Sequence, residues 1–347
     1  MDELTKWYNE AQDALIVESS DATLDTIVSR IKRGSIDIDP KFQRRERWTS
    51  RQQSLLIESL LRNLPIPPVY LAQDAASGRF TVIDGKQRLT AVNAFLSGEL
   101  ALVGIEGNEE LNGRRIYDLP VAVQDGLTMK SIRLIQLSRQ SNLSAVHEVF
   151  LRLNTGGEIL NAQEVRNVAY SGAMNDAVYR MAECPFLRKQ FKVKQPSPAY
   201  SRMVDAEMIV RFLALNEKWK TFSGGLRQSL DDFMQDHRFA APDEIERLER
   251  MFAKCIDAAE AIWGDSAFKR PGRDQALAGL FDAEMVALAS VRDSVIERAK
   301  VQRVEIRERV DRMFAENLRF DQSVRQATNT PDRLKYRIET MLEILNG

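Results

Sequence analysis

From Thr49 to Leu64 the apolar residues Leu56, Leu60, Leu61 and Leu64 recur at the spacing of one helical face. Thr49-x-x-Gln52 stands in front of them as a capping box, in which the hydroxyl accepts from the third amide and Gln52 reaches back, and Pro65 ends the run. The period then changes. Residues 67–73, PPVYLAQ, read as a strand, 74–78 as a turn, and 79–84, RFTVID, as the return strand of a hairpin. Lys86 to Leu96 reads as a helix with Leu89, Val92 and Phe95 turned inward, and Gly98 sits near its C-terminal cap. SIRLIQL, 131–137, alternates at Ile132 and Leu134 and reads as another strand. Ser144 caps an expected helix carrying Val146, Val149, Phe150 and Leu153, which runs into the loop Asn154-Thr155-Gly156-Gly157; Asn161-x-x-Glu164 opens the next helix.

Beyond about residue 165 strand signals fade. Residues 243–263 and 283–318 are long, amphipathic and rich in helix formers, whereas 193–201 and 269–274 (KRPGRD) read as loops. The pattern predicts an α+β domain over 1–170 followed by an all-helical domain over 171–347. A chain of 347 residues is also too long for one ordinary core.

Composition narrows the chemistry more than it directs it. Lys and Arg total 49 against 50 Asp and Glu, so any nucleic-acid contact must come from a local patch. The two cysteines, Cys184 and Cys255, lack a CxxC spacing and suit a reducing compartment as buried small hydrophobes. Two histidines, His147 and His237, are too few for histidine-rich zinc chemistry, which leaves carboxylates or phosphate-bound magnesium for any metal. No apolar run approaches the roughly 20 residues that span a bilayer, and the expected location is the cytoplasm.

Three constellations stand out. In Asp84-Gly85-Lys86-Gln87-Arg88 a strand hands over to a helix. The unpaired amides and partial positive charge of a helix start attract phosphate, and a glycine lets a ligand come close. Lys86 and Arg88 add charge, and Asp84 can hold a ribose hydroxyl, a magnesium ion or Arg88. The plainer alternative is that Asp84 caps the helix and its neighbours are solvated. In 41–52, Lys41, Arg44, Arg45, Arg47 and Arg51 face Glu46 alone, with Phe42 and Trp48 interleaved. That mixture suits phosphate contacts and base stacking, or else a charged loop with Trp48 in the core. In 149–172, Glu164 and Asn167 lie three apart on one helical face that can close over a ligand at Arg88, or simply cap an interdomain turn.

Taken in order, FQRRERWTSRQQSLLIESLLRNLPIPPVYL, IDGKQRLTAVNAFLSGEL and VFLRLNTGGEILNAQEVRN resemble the N-terminal domain of GmrSD-type restriction endonucleases, often marked by a DGQQR motif, over about residues 20–175. The resemblance implies a ParB/sulfiredoxin-like α+β fold that binds a nucleoside triphosphate with Mg2+ and, in characterised relatives, hydrolyses it. There the domain senses modified phage DNA and controls a nuclease. On that basis Asp84, Gln87 and Arg88 are the expected catalytic residues. Arg44, Trp48, Gln52, Gly85, Lys86, Asn154, Gly157, Glu164 and Asn167 are the expected nucleotide-binding ones. Lys86 replaces a glutamine of the motif, which bears on hydrolysis more than on binding. No histidine follows His237, so an HNH nuclease is expected on a separate partner chain. The alternative function is a DNA-binding or assembly protein without turnover, with the helical domain as an oligomerisation surface. Arg88 free to meet an anion in an open cleft is the condition on which the nucleotide reading rests.

Overall fold

The structure, a computed structural model, describes residues 2–38, 48–73, 78–138, 149, 162–170, 172–195 and 197–347, without the side chains of 164, 165, 168 and 201. It divides into two compact units, Met1–Asn161 and Ala162–Gly347.

The first unit contains helix α1 (Glu3–Ala14), strand β1 (Val17–Thr23), α2 (Leu24–Lys32), β2 (Ile36–Asp37), α3 (Ser50–Leu61), β3 (Val69–Gln73), β4 (Phe80–Asp84), α4 (Lys86–Leu96), α5 (Val121–Thr128) and β5 (Ser131–Leu137). The five strands form one mixed sheet in the order β1-β5-β3-β4-β2. β1 runs antiparallel to β5 and β3 antiparallel to β4, whereas β3 and β5, and β2 and β4, are parallel. Val69, Leu71, Val82 and Leu134 are fully buried beneath α2, α3 and α4. Leu89, Val92 and Phe95 of α4 join that core, as their spacing predicts. The capping box at Thr49 is formed as read: the Gln52 amide donates to Thr49 Oγ1 at 3.3 Å, and Gln52 Oε1 accepts from the Thr49 amide at 2.9 Å. The expected helix from Ser144 and the turn at 74–77 lie outside the described residues.

The second unit is helical throughout its regular structure, apart from one isolated bridge between Lys269 and Ala276. Its centre is the helix Ala278–Ser290, in which every residue from Gly279 to Leu288 is buried. A helix buried on every side belongs in the middle of a bundle, and its two acids, Asp282 and Glu284, are buried with it. It packs against the helices Val204–Lys218, Pro242–Trp263, Leu318–Arg325 and Pro331–Asn346. Gly279 lets Leu318–Arg325 approach closely, since a Cβ there would sit 2.6 Å from the Val324 carbonyl oxygen. The long amphipathic run read over 283–318 is broken in the structure: helices end at Ser290, Val301 and Glu316. No proline marks these breaks; at the last one Asn317 caps the next helix by accepting from the Phe320 amide at 3.0 Å. No helix among the described residues is long and apolar enough to cross a membrane.

Candidate functional site

Two helix starts, those of α3 and α4, are linked at the end of β4. β4 ends at Asp84, and Gly85 takes the left-handed conformation (φ 96°, ψ 10°) that turns the chain into α4. The Gly85 carbonyl accepts the first helical hydrogen bond, from the Leu89 amide at 2.9 Å. Glycine is required here twice over. The positive φ strains any other residue. A Cβ would also lie 2.8 Å from Val69 Cγ2 and 3.2–3.3 Å from the Arg88 guanidinium. Because Gly85 carries no side chain, α4 opens without a side-chain cap.

Arg88, the third residue of α4, reaches back toward the helix start as long helical side chains do. Its Nη2 donates to Asp84 Oδ2 at 2.5 Å and its Nη1 to the Pro67 carbonyl at 3.1 Å. The pair joins β4, α4 and the segment before β3, and the Arg88 side chain is only 10 % exposed against 37 % for Asp84. Of the partners that the sequence offers Asp84, Arg88 is the one it meets within the protein. Arg88 is therefore enclosed, not projecting into an open cleft, so the condition the sequence reading set on it is not met, and a phosphate reaches its guanidinium only by displacing Asp84 or Pro67.

Gln87 ties the two helix starts together, since its Oε1 accepts from the Trp48 amide at 3.2 Å. Trp48 is half-buried against the core of the first unit, and its carbonyl accepts from Gln53 Nε2 at 3.4 Å. Gln52 is engaged in the capping box. Six expected residues, Trp48, Asp84, Gly85, Lys86, Gln87 and Arg88, thus share one neighbourhood, with Gln52 one turn away. Arg51 of the basic segment packs its stem over Gly104 and pairs with Glu106 at 3.0 Å on the surface. Arg44, Asn154 and Gly157 lie outside the described residues, as does the side chain of Glu164.

Asn167 belongs to the core of the second unit. It is 4 % exposed; its Nδ2 donates to Met203 Sδ at 2.9 Å and its Oδ1 accepts from Gln163 Nε2 at 3.4 Å. Beside it Arg166, also buried, donates to Asp231 Oδ1 at 2.7 Å. The i, i+3, i+4 spacing of Gln163, Arg166 and Asn167 is that of an inward helical face, a signal legible in the sequence but hidden by the polarity of its members. The Pro67 carbonyl is the other contributor that residue type does not reveal. Among the described residues no group of three or more His, Cys, Asp or Glu is placed to hold a metal ion.

Comparison with curated proteins and with solved structures finds no match. Residues 24–171, which contain both helix starts, match the GmrSD restriction endonuclease N-terminal domain, and this segment of the chain is a domain of that family.

Proposed function

We propose that the N-terminal unit is a nucleoside-triphosphate-binding regulatory module of a restriction or anti-phage defence system, acting on a nuclease carried by a separate chain. The observation that carries this reading is the opening of α4: a left-handed glycine at the end of a strand leaves the positive end of an 11-residue helix without a capping side chain, with Lys86 as its first residue. In this reading the first-turn amides and Lys86 take the phosphates. With Arg88 enclosed, the reading passes from its guanidinium to the helix start: the Asp84–Arg88 pair braces the junction, and Arg88 reaches a phosphate only in exchange for Asp84. Mg2+ arrives with the triphosphate. It needs one or two carboxylates and keeps several waters, and Asp84, with part of its surface open, supplies one oxygen. Gln87, already holding the Trp48 amide, couples the occupied site to α3. The five-stranded mixed sheet is taken as a variant of the ParB/sulfiredoxin-like arrangement.

The enclosed guanidinium favours a second reading, binding or DNA-linked assembly without turnover, because Arg88 is held away from a leaving phosphate. Titration of the full-length protein with fluorescent analogues of the four triphosphates, with and without Mg2+, separates these. Saturable Mg2+-dependent binding that weakens about tenfold, or roughly 1.4 kcal/mol, in Lys86→Ala is the expected result. Phosphate release in a colorimetric assay distinguishes hydrolysis from binding alone. Absence of binding at millimolar nucleotide, or a Lys86→Ala variant that binds like the parent, sinks the nucleotide reading.

A further inference from the structure

The helical unit contains a cavity of about 1020 Å³ that the site above does not use. The helix Pro185–Gln190, the segments 192–194 and 264–274, the helix Arg303–Glu316 and Glu284 of the helix Ala278–Ser290 line it, with eight Lys and Arg against four Asp and Glu. Three of those carboxylates do little against a ligand's charge. Asp274 is held by Lys269 at 2.8 Å and Lys192 at 2.9 Å, which lowers its pKa to about 2. Asp265 is held by Lys189 at 2.6 Å. Glu284 is fully enclosed, and burial pushes its carboxyl well above its ordinary range. Only Asp311 remains, and it is exposed.

The cations divide differently. Arg188 is neutralised by Glu183 and Asp205, and Arg270 by Asp321 at 3.0 Å. Lys194 and Arg273 are exposed at the cavity rim and pair with no carboxylate among the described residues. Arg307 also lacks one there; its Nε donates to the Ile262 carbonyl at 2.6 Å. Deeper, Trp263 is 2 % exposed and its indole N–H makes no hydrogen bond among the described residues, an uncommon state for a buried donor. The unpaired positive charge therefore lies on side chains still at least partly in water, while Asp265 and Asp274, themselves exposed, are held in ion pairs and Glu284 is enclosed.

That distribution fits a ligand whose charges are strung along a line and remain partly solvated. A small anion swallowed whole needs free donors in the floor, and here most of those are already engaged. We propose that this cavity is a docking site for the sugar–phosphate backbone of DNA, held chiefly by Lys194, Arg273 and Arg307, and separate from the strand–helix junction of the N-terminal unit. It assigns to the helical unit the nucleic-acid contact that a chain of near-zero net charge must gather in a local patch. The segment KRPGRD, which the sequence reads as a loop, becomes one wall of it.

The test uses the full chain and a fluorescein-labelled duplex, with binding followed by polarisation between about 50 and about 200 mM salt. The double reversal Lys194→Glu/Arg273→Glu is expected to weaken binding about tenfold or more at the lower salt. It should also flatten the log–log salt dependence by about 2, close to 0.9 for each phosphate that is no longer neutralised. Neither side chain gives up an ion pair among the described residues, so the melting temperature should stay with the parent's. The milder Lys194→Gln/Arg273→Gln should fall between. Lys220→Glu/Arg227→Glu, the same charge change at exposed positions elsewhere on the unit, should leave the slope near the parent's. Unchanged affinity and slope in the first variant, or an equal loss in the control, overturns the proposal. So does a parent that binds inorganic tripolyphosphate through these residues but no duplex. Nucleotide binding at Lys86 is read separately, and its failure leaves this result intact.

Discussion

A carboxyl group sealed inside a helical bundle has little reason to ionise, and Glu284 is such a group. It is 1 % exposed, and the Phe268 amide donates to its Oε2 at 3.1 Å. Burial raises its pKa well above the ordinary 4.5, and the one hydrogen bond opposes that only in part. In the unfolded chain the same carboxyl ionises near 4.5. The folded state therefore binds more protons over the interval between the two values, and stability falls as pH rises through it. The full contribution is present below the unfolded pKa and is lost on approaching the folded one. Glu284→Gln keeps an acceptor for the Phe268 amide and removes the titration. Urea unfolding of the two proteins from pH 5 to pH 8 should show the variant gaining on the parent with rising pH, by at most about 1.4 kcal/mol per pH unit. Parallel stability curves would mean that Glu284 ionises in place.

Among elements, α3 and α4 were the most legible. α4 runs from Lys86 to Leu96 as its apolar spacing and flanking glycines predict, and α3 begins at the capping box. Local rules decided both. β1 escaped because its sequence, VESSDAT, is polar and its residues from Val17 to Asp21 are exposed at the sheet edge, so neither face carries an alternation. β2 is only two residues long and is defined by its parallel pairing to β4, a contact that no local pattern encodes. At the site, the spacing of four between Asp84 and Arg88 made their pairing readable. What was not readable was the enclosure of Arg88, which depends on the Pro67 carbonyl 21 residues away. The link between helices is likewise non-local: the Trp48 amide, next to the cap of α3, meets Gln87 in the first turn of α4. Thr49→Ala should cost about 1 kcal/mol through the lost cap. Because Trp48 is the neighbour of that cap, it should also weaken nucleotide binding. Gln52→Ala, which breaks the reciprocal half of the box, should do the same, and a double-mutant cycle should show the two losses to be less than additive. Additive losses would mean that the box does not act as one unit.

At the level of the whole chain, the question is whether two compact units behave as two. The second unit offers a sharp handle. Asp282, on its central helix, accepts from Arg211 Nε at 2.5 Å and Nη2 at 2.6 Å, and from Arg337 Nη2 at 2.5 Å. Arg337 also donates to the carbonyls of Ser323 and Thr328, at 3.1 and 2.6 Å. One carboxylate thus joins the helices Val204–Lys218, Ala278–Ser290 and Pro331–Asn346, and Asp282 and Arg337 are fully buried. Replacing such a cluster wholesale by apolar groups can be nearly neutral, but removing the shared anion leaves two guanidiniums facing each other out of water. Asp282→Asn keeps the shape and should destabilise the unit by about 3–5 kcal/mol. Hydrogen exchange on the full chain locates the damage. Amides of 204–218, 278–290 and 331–346 should lose protection together, since they share the broken centre. Amides of 80–96 and 131–137 belong to a sheet and core that contain none of these residues and should exchange as in the parent. Loss spread evenly over both sets would mean that the chain opens as one cooperative body, and that a change at the cationic cavity is felt at Gly85 through global stability and not through a bound ligand.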